Sequence, residues 1–196
     1  MQAPSRMRIP LNVVSYGEPE IAEVMDSLRS GRVTMGVKVR RFEELWAEYI
    51  GVKYAVMTNS GSSANLLALT ALDLPKGSEV ITPALTWATT VFPIAQAGYV
   101  PVLVDVYLST YNINSEATEA AITPKTSAIM PVHLLGNPCL MEEIRKIANR
   151  HCLYVIEDTC EAHGAMCDGK KAGSFGAAAT FSFFFSHHIS TIEGGM

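Results

Sequence analysis

Ala128-Ile129-Met130-Pro131-Val132-His133 is an apolar run, and Cys152-Leu153-Tyr154-Val155-Ile156-Glu157 is a second one that closes on an acid. Between them, Met141 to Arg150 reads as a helix. Strand, helix, strand is the unit that builds parallel sheet, and strands apolar on both faces need cover on both. Working back toward the N-terminus, the alternation repeats. Val102 to Val106 is a strand and Ser115 to Ile122 a helix; Glu79 to Thr82 is a strand and Thr86 to Ala97 a helix. Tyr54 to Met57 reads as a short strand, followed by a helix over Gly61 to Leu72 that is entered through a Ser/Gly loop. Arg40 to Ile50 is a helix with Phe42, Leu45, Trp46 and Tyr49 inward. Glu18 to Ser30 is another, with Ile21, Val24, Met25 and Leu28 on one face and Gly31 as its stop. Toward the C-terminus, Ala179 to Phe183 adds one more strand. The fold class is α/β, a mostly parallel sheet between helices, with an N-terminal helical arm over 1–30 and one large domain over 31–196. Ligands of such sheets sit at the carboxyl ends of the strands.

Bulk composition narrows the function. The chain has 196 residues, 48% hydrophobic and 17% charged, with net charge −4. That fits a buried sheet and gives no basic surface for nucleic acid. No apolar run is long enough to span a bilayer. Met1 to Pro10 carries arginines with no apolar signal segment behind them, so a cytoplasmic location is expected. Cys139, Cys152, Cys160 and Cys167 form no CxxC pair and suit no zinc site, so reduced thiols are expected. The ending, Glu193-Gly194-Gly195-Met196, has no helix or strand after it, the pattern of a chain whose second half is missing.

Four segments carry chemistry. The first is Asn59-Ser60-Gly61-Ser62-Ser63-Ala64-Asn65, where small residues let the backbone approach a ligand and the helix behind offers free N–H groups to a phosphate. The second is Thr86-Trp87-Ala88-Thr89-Thr90, an aromatic at a strand end that can stack on a flat ring. The third, Glu157-Asp158-Thr159-Cys160-Glu161, ends a strand with an acid able to pair with a ring nitrogen. The fourth is Ser182 with His187 and His188. Each has an ordinary structural reading: helix caps, a core tryptophan, a surface histidine pair. Their order, each at a strand end, suits one ligand with a phosphate, a ring and a ring nitrogen, which is the outline of pyridoxal phosphate.

These residues resemble the DegT/DnrJ/EryC1/StrS family of nucleotide-sugar aminotransferases. The resemblance rests on the segment 59–65, on Glu157-Asp158 with Ala162-His163-Gly164, on Gly173-Ser174-Phe175-Gly176 and on Glu193-Gly194-Gly195. It implies the large domain of a type I pyridoxal-phosphate enzyme, a homodimer with shared active sites, and a C-terminal small domain not present here. By position it implies phosphate contacts from Ser62, Ser63 and Ser182, close backbone approach at Gly61, and ring stacking by Trp87. It also implies that Asp158 holds the ring nitrogen, with Glu161 one helical turn on and facing the same site. The departure is at the cofactor lysine. Aligning Phe181-Ser182-Phe183 and Glu193-Gly194-Gly195 without a gap puts His187 there. An imidazole cannot bond the cofactor covalently but can move protons.

Within the family, Ser186-His187-His188-Ile189 resembles the sugar 3-dehydratases. That implies a dehydratase using pyridoxal and pyridoxamine phosphate, glutamate as amino donor and a nucleotide-linked 4-keto-6-deoxysugar, GDP-linked, in deoxysugar and lipopolysaccharide biosynthesis. His187 is the expected catalytic base and no metal is expected. Sugar and nucleotide contacts would come partly from Val33 to Gly36. Two rival readings stand: an aminotransferase whose lysine is elsewhere, with Lys170 and Lys171 nearest, and an inactive binder of cofactor or nucleotide sugar.

Overall fold

Each apolar strand serves two cores at once. In a computed structural model that describes residues 13–196, β1 (Glu79–Pro83), β2 (Val100–Val104), β3 (Thr126–Ile129), β4 (Tyr154–Asp158) and β7 (Ala178–Thr180) form a sheet in the order β2-β1-β3-β4-β7, parallel throughout. Side chains alternate across a strand. Ile81, Ile129 and Val155 therefore meet Met141, Ile144, Ile147 and Ala148 of α6 (Met141–His151) on one face. Val80, Ala128 and Ile156 meet Leu69 of α3 (Gly61–Ala71) and Ile94 of α4 (Ala88–Gln96) on the other. Helix α5 (Ser115–Ala120) lies between β2 and β3 in the chain and packs against α6. Complete burial of one such aliphatic side chain stabilises by about 1.5–3 kcal/mol.

The chain leaves β1 for β2 and returns to β3 on the other side of β1. That reversal opens a crevice at the carboxyl ends of β1 and β3.

The chain divides into two units that meet between Arg41 and Phe42. In the first, α1 (Glu18–Arg29) forms as its spacing predicts. Lys38, at the start of α2 (Val37–Ile50), pairs with Glu23 and Asp26 at 2.6 and 2.8 Å. The apolar face of α1 is not buried: Ile21, Val24, Met25 and Leu28 are all exposed. In the second unit, α2 buries Trp46, Ala47 and Ile50, while Leu45 and Tyr49 are each 44% exposed. Trp46 and Ile50 join Phe181, Phe183 and Met196 in a third core, beyond the end of β7.

That third core explains two departures from the sequence reading. Tyr54 to Met57 is not a strand. Ala55 and Met57 pack on the third core while Tyr54 is 73% exposed, and only Thr58 pairs, with Gly195. The last strand stops at Thr180 because Phe181 and Phe183 turn to bond Met196 and Gly194 instead. Likewise β3 ends at Ile129, just before Pro131, which has no N–H to continue the ladder. A small hairpin, β5 (Met166–Cys167) with β6 (Lys170–Lys171), turns at Asp168-Gly169, both at positive φ. The four cysteines are free thiols.

Candidate active site

The carboxylate of Asp158, at the end of β4, is 4% exposed. Its Oδ2 accepts from Asn65 Nδ2 at 3.1 Å and Thr90 Oγ1 at 2.8 Å, and its Oδ1 from the Cys160 N–H at 3.2 Å. Asn65 is itself fixed: Nδ2 also donates to the Thr89 carbonyl at 3.0 Å, and Oδ1 accepts from Thr180 Oγ1 at 2.6 Å. Thr90 Oγ1 lies 2.8 Å from Thr86 Oγ1. So α3, α4, β4 and β7 each contribute one side chain to a single network. All its donors are neutral. Neutral donors fix the orientation of this carboxyl group.

The entry to α3 lies against Ser182, in the segment after β7. Ser60 caps the helix, its Oγ accepting from the Ser63 N–H at 3.1 Å and lying 3.1 Å from Ser63 Oγ. The N–H groups of the first turn have no intrahelical partner. Gly61 is required by crowding: a Cβ there would stand 2.7 Å from the Cβ of Ser182 and 3.1 Å from Cys160 Sγ. Gly195 is required in the same way, since a Cβ would run into the Ser60 carbonyl. Gly61, Ser62, Ser63 and Ser182 thus share one small-residue cup. Burial pushes the Cys160 thiol well up, so it stands beside the cup as an unreactive thiol.

Trp87 is the N-cap of α4, 76% exposed, one turn before Thr90. Glu161 sits in a turn after β4, not one turn along a helix as expected. Its Oε2 accepts from the Leu135 N–H at 2.7 Å, and Leu135 is held in the left-handed region at φ 54. His187 lies on the turn after Phe183, half-buried, its N–H donating to the Phe184 carbonyl at 3.0 Å. Burial lowers its pKa, helped by His188, while Glu161 and Asp158 act in the opposite direction. His188 is exposed.

Of the two rival lysines, Lys171 is engaged elsewhere. Lys171 donates to the Tyr49 carbonyl and its Nζ stands 3.8 Å over the Tyr49 ring. Lys170 is its exposed neighbour on β6.

The sequence reading missed Asn65, Thr90 and Thr180 as holders of Asp158. It also left Glu157 without a role. That side chain is fully buried, accepting from the N–H groups of Gly173, Phe175 and Gly176 at 2.7–2.8 Å and from His133 at 3.1 Å. Because His133 Nδ1 accepts from the Cys139 N–H at 3.0 Å, its Nε2 carries the proton given to Glu157. Glu157 therefore anchors the 173–176 loop to the back of the strand that presents Asp158.

A sequence profile of the DegT/DnrJ/EryC1/StrS aminotransferase family matches residues 15–196. The chain belongs to that family. Among the relatives of this DegT/DnrJ/EryC1/StrS member is a GDP-4-keto-6-deoxy-D-mannose 3-dehydratase of Yersinia pseudotuberculosis, 44% identical over 96% of this chain and 50% of that protein. A GDP-perosamine synthase of Caulobacter vibrioides is 47% identical over 90% of this chain and 47% of that protein. The solved GDP-4-keto-6-deoxy-D-mannose-3-dehydratase of E. coli, with bound hydrated PLP, superposes with a TM-score of 0.92 at 43% identity, over 96% of this chain and 50% of that one. The chain spans about half the length of the curated relatives it matches. Its sheet and helices are those of the large domain of a type I pyridoxal-phosphate enzyme. Overall identity does not choose between the two chemistries, since both relatives are equally near; the site residues must.

Proposed function

We propose that this chain carries the cofactor site of a nucleotide-sugar 3-dehydratase that uses pyridoxal and pyridoxamine phosphate. Its substrate is a GDP-linked 4-keto-6-deoxyhexose, and glutamate is the amino donor. The observation that carries this reading is His187, an imidazole of lowered pKa where the family has its cofactor lysine. One solved relative, a variant of the 3-dehydratase, has an adjacent serine and histidine replaced by asparagine and lysine. Ser186-His187 is the one Ser-His pair in this chain. Another solved 3-dehydratase was trapped with pyridoxal phosphate and glutamate together. With these goes the wider setting: a cytoplasmic homodimer serving deoxysugar and lipopolysaccharide synthesis.

The residues fit the cofactor. A rigid, buried carboxylate at Asp158, answered only by neutral donors, matches a protonated ring nitrogen. A cup whose glycine admits no Cβ, at a helix N-terminus, matches a phosphate. When bound, the cofactor supplies an electron sink at its ring. Asp158 holds the proton on the ring nitrogen and so keeps that sink cationic. The first-turn N–H groups of α3 and the hydroxyls of Ser62, Ser63 and Ser182 hold the phosphate. Trp87 covers the ring, and Glu161 borders it. His187 takes a proton on a free ring nitrogen and returns it to the departing 3-hydroxyl. With no lysine to exchange with the product, loss of the hydroxyl prevails over transfer of the amino group.

The test uses the full-length protein with pyridoxal phosphate, glutamate and GDP-4-keto-6-deoxymannose, and reads the sugar by mass. Loss of the 3-hydroxyl oxygen with no nitrogen retained is the expected result. A retained amino group would make the protein an aminotransferase and remove the role given to His187.

A further inference from the structure

His163 packs on the third core with both ring nitrogens buried and without a well-formed hydrogen bond, the Ser182 backbone being the polar group beside it that favours its proton. Its ring is stacked on Phe183 at 5.4 Å and 4°, and on Phe181 at 6.0 Å and 20°, with Trp46 edge-on at 5.6 Å. Those contacts set the imidazole against two phenylalanine rings and a tryptophan edge. A phenylalanine would fill the space without orphaning a polar atom, and each buried unpaired polar group costs about 1–3 kcal/mol. Packing therefore gives no reason for an imidazole at this position.

The reason lies in what the ring meets. His187 stands edge-on to it at 6.1 Å and 84°, and His188 at 5.9 Å and 87°. The other groups that act on His187 are Glu161 on the turn after β4, Asp158 at the end of that strand, and the neighbouring His188. Phe184 adds a ring contact at 6.5 Å. Among the described residues no cluster of His, Cys, Asp and Glu is placed to hold a metal, so the three imidazoles call for another account.

We propose that His163 is a positioning residue for His187: once the site is loaded, its imidazole offers a nitrogen to the His187 ring, holding the N–H on that side and leaving the opposite nitrogen free to take a proton. This rests on the role given to His187 above. Which nitrogen of a histidine carries the proton is set by the partner of the other. Such hydrogen bonds are often long before substrate binds and shorten on binding. Burial, with His187 and His188 close by, pushes the His163 pKa down to about 4, with the Ser182 backbone offsetting a little. His163 therefore stays uncharged at neutral pH. It can accept a hydrogen bond without taking the proton away.

The test uses the full-length protein and two variants, His163→Phe and His163→Gln. Three things are read: the ring ¹⁵N shifts of His187, the rate at which glutamate changes the absorbance of bound pyridoxal phosphate, and the thermal midpoint. The wild type is expected to hold one His187 tautomer. His163→Phe should mix the tautomers and slow the glutamate step about tenfold or more, a part of the 10²–10⁴ that a positioned base supplies. Its KM for glutamate and its thermal midpoint should not fall. His163→Gln, which returns a polar atom, should recover part of the rate. An unchanged tautomer and rate in His163→Phe would overturn the proposal. So would a rate that falls together with the midpoint and is not recovered by Gln. If the wild type completes the glutamate step but the sugar keeps its 3-hydroxyl, the dehydratase reading fails while the His163 comparison still stands on the glutamate step.

Discussion

At the scale of single residues, the proposed site divides its labour between a fixed carboxyl group and a base that exchanges protons. Asp158 is locked by three neutral donors. Asp158→Asn would turn an amide N–H₂ toward Asn65 or Cys160, leaving donors face to face. We expect a loss of about 1–3 kcal/mol in urea unfolding, with much weaker binding of pyridoxal phosphate in a fluorescence titration. His187 is the moving part. Its lowered pKa means it is unprotonated at neutral pH and gains its proton only below the ordinary histidine value near 6.5. The glutamate step should therefore run at full rate above that pH and fall on an acid limb lying below it. A limb at or above 6.5 would contradict the burial described for His187. His187→Asn should slow that step by about 10²–10⁴, with the phosphate cup intact and cofactor still bound.

At the scale of elements, close approach does the positioning. The start of α3 approaches Ser182, just past β7, because Gly61 has no side chain. Gly61→Ala should cost about 1–3 kcal/mol from overpacking and loosen phosphate binding, read as a raised Kd for pyridoxal phosphate. Glu157 ties a loop to β4 through three backbone N–H groups. Its change to Gln leaves one of those donors facing another, and the denaturation midpoint should drop by an amount worth about 1.5–3 kcal/mol. The parallel strands and their helices were legible in the sequence because Val80-Ile81, Ala128-Ile129 and Val155-Ile156 are apolar on both faces. Gly61, Asp158 and Ser182 stood out in the sequence because of their residue types and their places at strand ends. Asn65, Thr90 and Thr180 were not: they are common polar residues, and only the fold brings them to one carboxylate. The Tyr54–Met57 segment misled because its alternation is real, but the surface beneath it is an aromatic core rather than a strand edge. The Asp168-Gly169 hairpin was present in the sequence as a turn pair and went unread.

At the scale of the whole molecule, three cores share the load, and the one nearest the base carries an acid liability. The His163 pKa of about 4 lies below the unfolded value near 6.5. Between those two pH values the unfolded chain binds a proton that the folded chain refuses. Stability from this group is therefore complete above about 6.5 and declines as the pH falls toward 4. Unfolding scans from pH 7 to 4.5 should show a shallower decline in His163→Phe than in the wild type; parallel curves would mean that His163 is not buried as described. The pairing of Thr58 with Gly195 has a consequence for synthesis. A ribosome makes the α3 entry well before the Glu193-Gly194-Gly195 segment. Strands β1 to β4 and the helices between them are all synthesised before the partner of Thr58. Closure of the Ser60–Gly61 turn against Gly195 is thus a late event in synthesis, later than the sheet strands it sits beside.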